Sequence, residues 1–144
     1  MLEPSISVQT FISLAKHFAF EEAATAPGNL AVRNAEQIIQ RFGGQRIGIA
    51  GAGRDLAASD VCFYCSLCPD EDAEAAPWRG RGGVLAAFAS AQNDHIVCLV
   101  GASGHCYAFT VPDGKLYEIG FTFGEAMERL LLGFSYGPSV PRDA

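Results

Sequence analysis

The chain has 144 residues, of which 16 are acidic and 10 are Lys or Arg, so its formal net charge is −6. This balance argues against a nucleic-acid partner, because binding to phosphate depends on clustered basic side chains. A hydrophobic fraction of 49% is typical of a packed globule, and the length fits a single domain over residues 1–144.

No run of about 18 apolar residues occurs, so we expect no membrane partner. The first residues lack the basic and apolar stretches of a signal peptide. We therefore expect a cytoplasmic protein. In that compartment the five cysteines should be reduced thiols, and their odd number fits a disulfide framework badly.

The first part of the chain predicts two amphipathic helices. Apolar residues recur at i, i+3, i+4 and i+7 over residues 7–20, where Ser7 is a candidate N-cap. A second helix is predicted over residues 29–42, with Asn29 as its cap and a glycine pair directly after its end.

The middle of the chain predicts short strands and one long polar connection. Residues 46–50 predict a strand, and residues 61–67 predict an interior strand because both faces of their alternation are fairly apolar. Residues 69–83 combine acidic side chains, one tryptophan and two arginines among glycines, which is typical of a functional or mobile loop. Residues 84–89 fit either a strand or one to two helical turns.

The last part predicts three strands, over residues 96–100, 106–111 and 115–119, joined by turns that contain glycine. A T-x-x-E capping box begins a helix over residues 122–132, and we expect the tail 134–144 to be loose. The order of elements predicts an α+β fold. We expect a single domain with a mainly antiparallel twisted sheet, flanked by N-terminal helices and one C-terminal helix.

Three cysteines with C-x-x-C-x-x-C spacing, Cys62, Cys65 and Cys68, are candidate zinc ligands, since paired thiolates commonly supply two of the four donors of zinc. In a strand over residues 61–67, however, Cys62 and Cys65 point to opposite faces, so the three thiols cannot converge. Reduced cysteines also pack as small apolar side chains. We therefore expect no metal site.

The glycines of residues 48–53 (GIAGAG) mimic a dinucleotide-binding turn. Such a turn needs a crossover helix after it, and the stretch that follows is too short for one. We therefore expect a plain loop and no cofactor.

A cysteine nucleophile is a further candidate, with Cys62 or Cys65 attacking, His105 as the base, and Asp113 or Glu118 orienting that base. The hairpin that begins with His105 resembles the corresponding hairpin of papain-like toxins. Gly120, however, stands where those toxins usually have an aspartate, and no helix is expected directly after the cysteines. A papain-like cysteine-dependent toxin or deamidase is thus the alternative function.

The acidic connection is a candidate recognition surface. Interfaces favour tryptophan as an anchor while charge steers the encounter, although a solvated acidic loop has the same composition. The hairpins and helix of residues 95–133 are expected to be scaffold. We predict no catalytic residue and five partner-binding residues: Asp70, Glu71, Asp72, Glu74 and Trp78.

Residues 84–133 combine an apolar strand, the strands HIVCLV and YAF, the segment DGKLYEIG and the helix T-F-x-E-A-M. This order resembles the C-terminal half of the SUKH superfamily, α+β proteins of bacterial polymorphic-toxin and secretion-effector loci. Ala35–Gly44 resembles a helix of that superfamily that ends in glycines, whereas residues 46–83 do not match its pattern.

The resemblance implies an immunity protein, a non-enzymatic cytoplasmic binder that neutralises a cognate secreted toxin or effector by occluding its active site. Together with the acidic connection, it predicts that residues 69–81 insert against a basic catalytic cleft of the toxin.

Overall fold

The computed structural model describes residues 7–20, 30–48, 51–52, 57–58, 60–78, 84–92, 95–111 and 113–141. Within these residues the α-helices are α1 (Val8–His17), α2 (Leu30–Phe42), α3 (Pro69–Asp72) and α4 (Phe123–Leu132), and a 3-10 helix covers Ala73–Trp78. The strands are β1 (Arg46–Ile47), β2 (Gly51–Ala52), β3 (Ala57–Ala58), β4 (Val61–Phe63), β5 (Ala86–Ala91), β6 (Ile96–Val100), β7 (Cys106–Thr110) and β8 (Lys115–Gly120).

Six of these strands form one antiparallel sheet in the order β1-β4-β5-β6-β7-β8, while β2 and β3 pair separately. The pairing from β4 to β8 is a meander, in which each strand lies beside the next one along the chain. The predicted α+β single domain is therefore confirmed, with helices before the sheet and one helix after it. No helix among the described residues has both the length and the hydropathy to cross a bilayer.

The predicted helix caps are confirmed where the structure describes them. The Ser7 side chain accepts a hydrogen bond from the Thr10 N–H at 3.2 Å, and the Thr122 hydroxyl accepts one from the Glu125 N–H at 3.1 Å. Each bond satisfies one of the N–H groups that the first turn of a helix leaves unpaired. The predicted cap at Asn29 lies outside the described residues.

Strand β4 is shorter than the predicted strand over residues 61–67. β5 carries a β-bulge between Ala87 and Ala89, and the Tyr64 N–H donates to the Phe88 carbonyl at that point. Residues 65–66 then form a bend, and the strand does not continue. Residues 86–91 form a strand, and the predicted connection begins with α3 and the 3-10 helix rather than with an irregular loop.

The main core lies between one face of the sheet and the three longer helices. Phe11 of α1 and Phe42 of α2 meet edge to face at 5.1 Å between ring centroids, and Phe42 stacks on Phe123 of α4 at 5.5 Å. Such aromatic contacts add to the free energy gained from the buried area. All three rings are at most 2% exposed, so this cluster fixes the helices on the sheet.

A second, smaller core covers the opposite face of the sheet. Trp78 at the end of the 3-10 helix packs edge to face on Phe109 of β7, at 5.8 Å between centroids. Residues 134–141, which we call the strap, lie along the outer edge of β8 through a bridge between Tyr117 and Ser139. Residues 134–141 of the tail that we expected to be loose are thus hydrogen-bonded to the edge of the sheet.

Helices α1 and α4 approach each other so closely that Gly124 has no room for a side chain. A Cβ atom at this position would lie 2.6 Å from the Lys16 Cα atom.

In an open helix, replacing glycine by alanine stabilises by about 1 kcal/mol. Here we expect Gly124→Ala to lower the free energy of unfolding by about 2 kcal/mol, because the backbones must separate. Urea denaturation measures this change, with Gln40→Ala on the exposed face of α2 as the control; a stabilised Gly124→Ala variant would contradict the prediction.

Candidate functional site

Trp78 is buried rather than available to a partner. Its side chain is 1% exposed, and its indole N–H donates to the Val140 carbonyl of the strap at 2.6 Å. The predicted role of Trp78 as an anchor for a partner is therefore corrected: it holds the 3-10 helix and the strap on the second core. A buried tryptophan normally finds such a partner for its N–H group.

One of the predicted acidic residues, Asp72, has a structural role. The Asp72 carboxylate accepts the Ala87 N–H at 2.6 Å and so joins α3 to β5. Burial raises the pKa of Asp72, while the hydrogen bond from Ala87 opposes that shift. Glu71 is half-buried, and the side chains of Asp70 and Glu74 lie outside the described residues. The partner-binding role of Asp70, Glu71 and Glu74 remains a prediction.

The sheet does not bring the candidate nucleophiles to His105. Cys62 lies on β4 and His105 directly precedes β7, so three strand spacings of about 4.8 Å, or roughly 14 Å, separate the two elements. A nucleophile and its base must approach to about 3 Å. Cys65 lies just past the end of β4 and is separated from β7 by the same strands.

The two candidate orienting carboxylates are also placed by the sheet. Asp113 lies in the β7–β8 turn, at the far end of β7 from His105. It accepts hydrogen bonds from the hydroxyl groups of Thr110 and Tyr117 and from the Lys115 N–H, and the Thr110 bond is the main cause of its lowered pKa. These contacts shape the turn. Glu118 is the direct partner of Tyr107 in the β7–β8 register.

Cys62, Cys98 and Cys106 have the environments of structural thiols, whereas Cys65 is exposed and Cys68 is half-buried. Cys98 and Cys106 are fully buried, and burial raises the pKa of both thiols, that of Cys98 to about 12. Cys62 donates to the Asp60 carboxylate at 3.7 Å, and Arg46 binds the same carboxylate at 3.2 Å. Over the described ranges, no three His, Cys, Asp or Glu side chains gather in a way that could hold a metal ion.

A partly exposed surface with three aromatic rings lies where β7 begins and β8 ends. We call it the aromatic strip: His105, Tyr107, Glu118 and Phe121. Tyr107 and Glu118 face each other across the two strands, and the rings of His105 and Phe121 meet edge to face at 5.0 Å. Burial raises the pKa of Tyr107, and the Glu118 charge adds to this shift, so the two side chains are close.

Phe121 is exposed although it precedes a helix N-cap, a position where an apolar side chain often packs against the helix. It directly precedes the cap Thr122, where an apolar residue commonly packs against the fourth residue of the helix, here Ala126. Phe121 instead remains 62% exposed. The sequence predicts only a scaffold role for residues 95–133 and does not indicate the exposure of Phe121, although the same capping box marks its position.

The turn that precedes the aromatic strip is fixed from the helical side. The buried Asn34 side chain of α2 donates to the carbonyl groups of Gly101 and Ala102, at 2.9 and 3.3 Å. A Cβ atom at Gly104 would lie 3.2 Å from the Phe20 ring, so this ring closes over the turn. His105 and Phe121 are therefore presented on a supported end of the sheet.

Compared with protein-family models, with curated proteins and with solved structures, the chain gives no significant match. The described structure defines its class as an α+β domain with a six-stranded antiparallel sheet. A relationship to the SUKH superfamily remains a prediction from the sequence.

The buried thiols predict how stability depends on pH. The fold raises the pKa of Cys98 from 9.0 to about 12, which favours the neutral thiol. This contribution is complete below pH 9 and is lost as the pH rises from about 9 towards 12. Between pH 8 and pH 10 we expect the wild type to lose about 1 kcal/mol more free energy of unfolding than Cys98→Ala. Urea denaturation at both pH values measures the difference; equal losses in the two proteins would contradict it.

Proposed function

We propose that the chain is a cytoplasmic immunity protein of a bacterial polymorphic-toxin or secretion-effector system. It binds a cognate secreted toxin and neutralises it by occluding the active site. The observation that carries this proposal is the aromatic strip, in which Phe121 is 62% exposed and contacts the ring of His105. Binding energy at protein interfaces concentrates in such aromatic residues when a partner buries them.

The strip has an acidic neighbour on the same sheet. Ala87, Leu99, Tyr107 and Glu118 pair in sequence across β5 to β8, and Asp72 of α3 is hydrogen-bonded to the first of them. The acidic helix α3 and Glu118 are thus about three strand spacings apart, roughly 14 Å. Acidic side chains on either side of an aromatic anchor complement a basic cleft, which agrees with the net charge of −6.

In this complex Phe121, rather than the predicted Trp78, is the aromatic residue that the partner buries. The acidic residues keep their predicted role, which is to attract a basic partner. Insertion of residues 69–81 into a cleft gains no support, since Trp78 of the 3-10 helix packs in the second core and Asp72 of α3 is hydrogen-bonded to β5. The separation of about 14 Å between the strands of Cys62 and His105 does not favour the cysteine-dependent alternative.

The experiment is co-expression with the toxin encoded by the neighbouring gene. Survival of the host cells measures protection, and calorimetry with the purified proteins measures binding. We expect Phe121→Ala to weaken binding roughly 30-fold, which corresponds to about 2 kcal/mol for an interfacial hot spot. Its stability should change by less than about 0.5 kcal/mol, because the ring is exposed. Val111→Ala is the matched control, since Val111 is 50% exposed at the opposite end of β7. Full protection and unchanged binding by Phe121→Ala would refute the proposal.

Charge reversal tests the steering role separately. We expect Glu71→Lys and Glu118→Lys each to slow association roughly tenfold at low salt, and much less at 1 M salt, where charges are screened. Glu36→Lys carries the same change of charge on the exposed surface of α2 and serves as control. Stopped-flow association rates at several salt concentrations measure the effect. Equal slowing by all three variants would point to net charge rather than to this surface.

A further inference from the structure

The strap completes the outer edge of β8 as an additional strand would. The Val140 N–H donates to the Leu116 carbonyl and the Gly137 N–H donates to the Glu118 carbonyl, both at 2.8 Å, and the Glu118 N–H donates to the Pro138 carbonyl at 3.3 Å. An open edge strand leaves such groups unpaired and ready to bind another extended chain. The edge of β8 is therefore a site that accepts a strand, and the strap is the segment that it holds.

Besides the backbone hydrogen bonds, two contacts determine which sequence fits the edge of β8. The Trp78 indole N–H donates to the Val140 carbonyl at 2.6 Å, and the Val140 side chain packs against the second core. At Gly137 a Cβ atom would lie 2.5 Å from the Glu118 carbonyl oxygen. The edge thus takes an extended segment with glycine at one position and an apolar residue three positions later. In strand addition, main-chain hydrogen bonds usually provide affinity and side-chain pockets provide specificity.

We infer that the edge of β8 is an exchangeable strand-binding site, and that its second occupant is the strap of another copy of this chain. A strap supplied by a second copy makes the same contacts as the chain's own, so exchange conserves every bond described above. The chain's own strap is tethered beside the edge, which keeps the site closed in dilute solution. This inference is independent of the proposed function.

Gly137→Ala opens the site without altering the residues that form it. The added methyl group clashes with the backbone of β8, so the variant's own strap cannot close the edge. The probe is a fluorescent peptide with the sequence of residues 134–141 (FSYGPSVP). By fluorescence anisotropy we expect Gly137→Ala to bind this peptide at least tenfold more tightly than the wild type does. A peptide with alanine at the Gly137 position should not bind, and Ser139→Ala, which keeps all three backbone bonds, should behave as the wild type.

Val140→Pro replaces Gly137→Ala as the test if the latter does not fold, as judged by circular dichroism and Trp78 emission. Val140→Pro removes the N–H that donates to Leu116 and leaves the edge itself unchanged, so it should also gain affinity for the peptide. Equal peptide affinity in the wild type and the folded variant overturns the inference. Dimers of the variant that the peptide does not dissociate overturn it as well, because they would show that bare β8 edges pair with each other.

Discussion

The structure depends on a sheet whose central strands must be covered on both faces. Every residue of β6 is buried, and its side chains alternate between the main core and the second core. Helices cover one face, as in most α+β domains. The other face would expose a row of large apolar side chains if α3, the 3-10 helix and the strap did not lie on it. The role of the acidic connection as a cover follows from this requirement.

Elements specified by neighbouring residues could be predicted from the sequence. Helices α1 and α4 have N-caps that act over three residues, and the strands from β6 to β8 alternate clearly between turns that contain glycine. The position of Trp78 could not be predicted in the same way. Its hydrogen bond spans 62 residues of sequence, and the acidic residues before it gave the segment the composition of a solvated loop.

The candidate site also combines properties that the sequence gives directly with properties that depend on long-range packing. Charge can be counted from the sequence, and the acidic residues near α3 were recognised by composition. Exposure cannot be counted, because it depends on which elements pack nearby. Phe121 and Phe123 lie two residues apart in one motif, yet the first is 62% exposed and the second 2%. The cysteines illustrate the opposite case, since a nucleophile and a base suggested by residue type lie on elements that the sheet order separates by about 14 Å.

The hydrogen bond between Asp72 and the amide of Ala87 has a consequence for how the domain opens. Ala87 is fully buried beside the bulge of β5, where pairing with β4 ends, and a carboxylate 15 residues earlier takes its N–H. Detaching α3 would leave a buried donor unpaired, at a cost of about 1–3 kcal/mol. The acidic segment and the centre of the sheet therefore belong to one cooperative unit, and local unfolding of the segment is coupled to loosening of the strand beneath it.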